Sequence, residues 1–211
     1  MKIIKSIFLI AIATVVFTSC SSEEESNSEP IIANRALNIY APVETDYTVN
    51  PPTEAGEFTK FSFSEGTTVT GENWDIAFRG TTILVNGGVE YGFTDEPIRT
   101  GDVSLAILTG AFSDIVEIPE GTQFTQDAEG TLALPKGSWY TYSGPPSHKI
   151  SPVAGQVFII KTTDENYVKM EIRSYYKDMD DSNSADQVNS GARYYTFDYI
   201  YNPNADDKSL E

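Results

Sequence analysis

Cysteine, histidine and methionine are nearly missing from this 211-residue chain, which holds one cysteine, one histidine and three methionines. A single cysteine excludes an intramolecular disulfide, so stability must come from a packed core. Structural and catalytic zinc sites need three or four protein ligands. With Cys20 and His148 each standing alone, only carboxylates remain to complete one, which argues against zinc. Positive charge is scarce too: 14 Lys and Arg stand against 31 Asp and Glu, a net charge of −17. Such a surface repels nucleic-acid phosphates and offers a membrane no polybasic patch. No G-x-S-x-G elbow accompanies the lone histidine, so a nucleophile with an oriented base has no support and the chain reads as a non-enzyme. Long helical periods and internal repeats are missing as well.

What is present begins with a leader. Lys2 and Lys5 precede an apolar run over residues 7–17, and Thr18-Ser19-Cys20 follows. A charged start, a short apolar run and a small-residue junction make residues 1–19 a secretory signal peptide, too short for a spanning helix. Residues 17–20, FTSC, resemble a bacterial lipobox, which implies cleavage before Cys20 and lipid on its sulfur. The competing reading is an ordinary secretory signal with an incidental cysteine. Residues 20–34, which include the run SSEEESNSEP, read as a flexible acidic tether. An acidic run directly after the cysteine also resembles the signals that send some Gram-negative lipoproteins to the cell surface. Loss of the leader removes Lys2 and Lys5, leaving 12 basic residues against 31 acidic ones, a charge of −19. The expected location is the outer membrane, facing outward and held only by lipid. Residues 35–211 are long enough for one domain with a sizeable core.

Within that domain strand signals dominate. An edge strand is expected near residues 37–40, and Phe58, Phe61 and Phe63 mark another short run. In residues 74–79, WDIAFR, Trp74, Ile76 and Phe78 point one way and Asp75 and Arg79 the other. Asn86-Gly87 predicts a tight turn from Ile83-Leu84-Val85 into a strand over residues 89–93. Residues 103–108 suit a strand or a short helix. The clearest pattern is residues 155–178, GQVFIIKTTDENYVKMEIRSYYKD. Two β-prone runs joined by a short polar loop predict a hairpin whose facing residue numbers sum to about 330. Residues 193–201, RYYTFDYIY, form one more β-prone run. The expected fold is all-β, a single domain of mostly antiparallel strands and hairpins with few or no helices.

The same hairpin points to a site. The start of its first strand and the end of its second lie at one end, so His148 and Met179, in opposing loops, are drawn towards each other. Met179 sits in Lys177-Asp178-Met179-Asp180-Asp181, where a thioether gains little from its carboxylate neighbours. It reads either as a small packing contact or as a ligand for a soft metal centre, as in haem iron held by His and Met. His148, in a Pro/Gly loop, reads as a surface residue or as the imidazole of that pair. The tyrosines, 12 in number, either line an aromatic ligand site or are simply strand residues. Asp178, Asp180, Asp181, Asn183 and Asp186 raise calcium, but the glycine of an EF-hand loop is missing. No spacing marks a carboxylate pair for glycoside hydrolysis.

Residues 74–82, WDIAFRGTT, with Asn86-Gly87-Gly88, resemble the front signature of HmuY-like haem-binding lipoproteins. Residues 150–155, 166–170 and 174–177 resemble the back signature, and residues 193–197 complete it. Together these pieces span most of residues 57–203. The resemblance implies an all-β domain on an outer-membrane lipoprotein that captures haem, from host haemoproteins among other sources, and hands it to a TonB-dependent receptor. It implies two axial iron ligands from neighbouring loops, paired His or paired Met in the family. Here the pair it implies is mixed: His148 and Met179. The alternative function is a surface module of the same fold that binds a protein or a glycan instead of haem.

Overall fold

The computed structural model describes residues 28–186 and 189–211. The expected signal peptide at residues 1–19, Cys20 and most of the expected tether lie outside the described residues. The chain is all-β, with thirteen strands and two single-turn 3-10 segments among the described residues. One antiparallel sheet has five strands, in the order β1 (Ile32–Tyr40), β13 (Ala192–Asn202), β12 (Tyr167–Tyr176), β11 (Gln156–Lys161) and β8 (Ser104–Thr109). A second has four, in the order β5 (Thr67–Val69), β4 (Thr59–Ser62), β6 (Ile76–Arg79) and β7 (Thr82–Val85). Two small pairs complete the fold, β2 (Glu44–Asp46) with β3 (Thr53–Ala55) and β9 (Tyr140–Tyr142) with β10 (Ile150–Pro152).

The two larger sheets meet across an aromatic core. Alternate residues of β13, namely Tyr195, Phe197, Tyr199 and Tyr201, turn inward and are buried, as period-2 geometry requires. Phe61 packs edge-on against Phe197 at 5.1 Å, and Phe78 lies 4.6 Å from Tyr195. The Tyr195 hydroxyl donates to the Gly80 carbonyl at 2.9 Å, which satisfies its one polar atom inside the core. The continuous apolar run of β11 follows from burial on both faces. Phe158 and Ile160 enter the main core, whereas Val157 and Ile159 join a second cluster with Ala106, Ile118, Tyr167 and Leu210.

The predicted hairpin is present. β11 pairs with β12 antiparallel, Phe158 opposite Met170 and Ile160 opposite Val168. Residues 103–108 resolve as strand β8. Three expectations need correction. β1 begins at Ile32, inside the stretch assigned to the tether, because the long β13 offers it a partner from Tyr201 onward. Glu29 is tied down as well: its N–H donates to Asn204 Oδ1 at 2.7 Å, and Asn204 Nδ2 returns a bond to its carbonyl at 2.8 Å. Asn86-Gly87 is not a hairpin turn, and residues 89–93 form no strand. The β6–β7 hairpin turns instead at Gly80-Thr81. Finally, Asp75 and Arg79 are as buried as the apolar residues they alternate with. β6 is covered on both faces, and Arg79 lies over the Phe58 ring at 4.2 Å.

Asn86 and its glycines serve a different purpose. The Asn86 side chain donates to the Trp74 carbonyl at 2.8 Å and accepts from the backbone of Thr100 and Gly101 at 2.8 and 3.1 Å. A Cβ on Gly88 would stand 1.9 Å from the Asp127 carbonyl oxygen. The pair therefore permits close backbone approach of the central loops. A buried ion triad holds the same loops: Arg99 bonds Glu96 at 2.6 Å and Asp127 at 2.8 Å.

Candidate functional site

β12 is regular from Tyr167 to Ile172 and then breaks register twice against β13, between Ile172 and Ser174 and between Ser174 and Tyr176. Such bulges bend a strand and re-aim its side chains. β1 breaks register between Ala36 and Ile39, where Asn38 takes φ 55°. At this end of the sheet a cleft of about 560 Å³ opens, walled by Lys149, Ile150 and Pro152, by Arg173, Tyr175 and Tyr176, and by Arg35, Met179 and Asp181.

Met179 lies in a 3-10 turn, Lys177–Met179, directly after β12. Asp178 and Met179 both adopt positive φ, 54° and 59°, a conformation that L-residues hold only under external constraint. The constraint is visible. Asn38 Nδ2 donates to Asp178 Oδ1 at 2.8 Å, Asp178 N–H donates to Asn38 Oδ1 at 2.7 Å, and Lys177 N–H donates to the Gly191 carbonyl at 2.8 Å. Held this way, Met179 stays 47% exposed and forms part of the cleft wall.

His148 lies in the tight loop between β9 and β10, also at positive φ, 49°. Its N–H donates to the Gly144 carbonyl at 2.9 Å, and its imidazole Nδ1 is hydrogen-bonded to the Tyr142 hydroxyl. His148 does not line the cleft, but its neighbour Lys149 does. Lys149 forms an ion pair with Asp181, two residues beyond Met179, so the two loops are bound to each other. The carboxylate beside it holds the Lys149 ammonium above its ordinary value. A second tie runs from Ile150 N–H to the Tyr176 hydroxyl at 2.9 Å. Tyr175, packed on the buried Trp139 at 5.8 Å, has its hydroxyl pushed up by burial and stays neutral.

Of the two residues singled out in the sequence, Met179 lines the cleft and His148 does not, and the cations of the cleft are not among them. Arg35 reaches it from a strand far away in sequence, and Arg173 from β12 at its first register shift. Another cleft, of about 690 Å³, lies over β4 and β5. It contains neither methionine nor histidine, and Glu57, Asp95 and Glu96 outnumber Lys60 in its wall. Among the described residues no three His, Cys, Asp or Glu side chains gather as a cation site.

The family model for the HmuY protein matches residues 54–199. The chain belongs to the HmuY family. The match takes in His148, Arg173 and Met179 and leaves out β1 with Arg35. Three solved structures are similar to this HmuY-family chain. The apo form of an HmuY analogue from Tannerella forsythia is 14% identical over 84% of this chain and 100% of its own, with a TM-score of 0.49. Apo PinO from Porphyromonas gingivitis is 15% identical over the same shares, at 0.46. A protein described as HmuY-like and haem-binding, from Bacteroides vulgatus, is 15% identical over 70% of this chain and 86% of its own, at 0.43. No curated protein matches the sequence.

Proposed function

We propose that this HmuY-family protein is a cell-surface lipoprotein that binds haem as cargo and passes it to a TonB-dependent outer-membrane receptor. The observation that carries the proposal is the cleft at the bulged end of β12, with the half-exposed thioether of Met179 in its wall. Its volume lies within the range of small-molecule sites, and Ile150, Pro152, Tyr175 and Tyr176 give it apolar and aromatic surface. Lys149, Arg35 and Arg173 supply positive charge for an anionic ligand. Met179 would donate sulfur to the iron, and His148, oriented by Tyr142, would donate imidazole nitrogen from the adjoining loop. Thioether ligation favours ferrous iron, so affinity should depend on redox state. Cys20 would carry the lipid, with residues 21–28 as the spacer. Among the described residues no helix is long and apolar enough to cross a membrane.

The position of His148 outside the cleft wall favours one other reading, a surface module of the same fold that docks a protein or a glycan. Titration of haemin into the non-lipidated Cys20→Ser chain, oxidised and then reduced with dithionite, separates the two. Haem binding predicts a shifted Soret band that changes again in both Met179→Ala and His148→Ala. Flat difference spectra in both states would overturn the haem reading and favour the docking module. Binding with unchanged spectra in both variants would refute the ligand pair.

A further inference from the structure

Arg173 stands at the first register shift of β12, on the same face as Glu171 two residues before it. Ile172 still faces Phe197, the register then slips, and Ser174 faces Thr196, so Arg173 is the extra residue. An extra residue in a bulge is left unpaired. Its side chain is 45% exposed and forms part of the cleft wall, and it also borders a neighbouring groove with Glu171 and Asp198.

The guanidinium is also under-used. Nη1 donates to Glu171 at 2.7 Å, Nε stands 3.6 Å from Asp198, beyond hydrogen-bond reach, and the described contacts give Nη2 no partner. Asp198 belongs to Arg35, whose Nε and Nη2 grip both its oxygens at 2.5 and 2.9 Å. Lys149 is engaged by Asp181. Three cations and one carboxylate thus wall the cleft of a chain whose net charge is −17. Arg35 commits two nitrogens to one carboxylate, whereas Arg173 makes a single hydrogen bond and leaves Nε and Nη2 without one among the described contacts. A planar guanidinium edge matches a carboxylate two bonds at a time, which an ammonium cannot do.

We propose that Arg173 anchors a ligand carboxylate, so that the cleft selects tetrapyrroles with free propionate side chains over neutral ones. The inference rests on the haem reading and deepens it. It names the group that would recognise the edge of the macrocycle, remote from iron. Its test therefore leaves iron out. Metal-free protoporphyrin IX and its dimethyl ester are titrated separately into the Cys20→Ser chain and into the same chain bearing Arg173→Gln or Arg173→Lys. Folding of each is checked by far-UV circular dichroism, and haemin is titrated in parallel.

The Arg173 chain should bind the free acid about tenfold to a hundredfold more tightly than the ester, the range expected of a charge-assisted hydrogen bond. R173Q should lose most of that ratio by weakening the acid alone, and R173K should fall between. A ratio unchanged in R173Q, with haemin still bound, overturns the role of Arg173 and leaves the haem reading standing. Failure of the Arg173 chain to bind haemin or either porphyrin overturns both.

Discussion

Asp75 shows how burial changes the chemistry of a single residue. Its carboxyl is pushed up to about 6, first by desolvation, against a backbone hydrogen bond from Phe63 N–H at 2.7 Å that favours the charged form. Because the folded value lies above the unfolded one, the native state binds this proton more tightly. Its stabilising contribution is complete below about pH 4 and is lost as pH rises through about 6. The shift corresponds to about 3 kcal/mol. Urea denaturation of the Asp75→Asn variant should therefore show a shallower fall in stability between pH 4 and 7 than the parent chain. Parallel pH curves would refute the assignment. In the sequence Asp75 looked like the polar half of an alternating strand. Its backbone is bonded to Phe61 and Asn86 and its carboxylate to Phe63, so neighbours from two other segments enclose it.

At the scale of elements the β11–β12 hairpin was legible and the central loops were not. The hairpin is specified locally, by two β-prone runs and a polar turn, and its register follows. Asn86-Gly87-Gly88 carries the same local signal as a hairpin turn. It is overruled because Asn86 is fully engaged with Trp74, Thr100 and Gly101, partners drawn from two other segments. Those loops depend on the buried triad of Glu96, Arg99 and Asp127. Replacing Arg99 by Met would leave two carboxylates buried without their cation and should cost about 3–5 kcal/mol. Thermal denaturation would show it, and a loss under 1 kcal/mol would mean that the triad is dispensable.

The whole molecule is strongly acidic, and the proposed lipid anchor rests on its single cysteine, Cys20. If Cys20 carries lipid, Cys20→Ser should move the protein from the membrane fraction to the soluble fraction and abolish labelling by a radioactive fatty acid. Labelling that persists in the variant would place the anchor elsewhere. The cleft is likewise a property of the whole molecule. It needs β1 from the start of the domain, the β9–β10 loop from its middle and β12 from near its end. Five of the eight non-glycine residues with positive φ among those described, Asn38, His148, Asp178, Met179 and Arg193, lie in the loops at this end or beside them. Such clustering is what an over-determined site produces.

By itself the sequence determined the strand class and the central hairpin, because both are written in neighbouring residues as periodicity and turn chemistry. It also marked Met179, as an apolar side chain among carboxylates. The tertiary structure alone decided which residues share the cleft. Arg35 and Arg173 meet through the pairing of β1 with β13 and of β13 with β12, and β12 slips register against β13 beside Arg173. A bulge is a mismatch between two strands, set by how both pack on the opposite sheet, and neither strand records it alone.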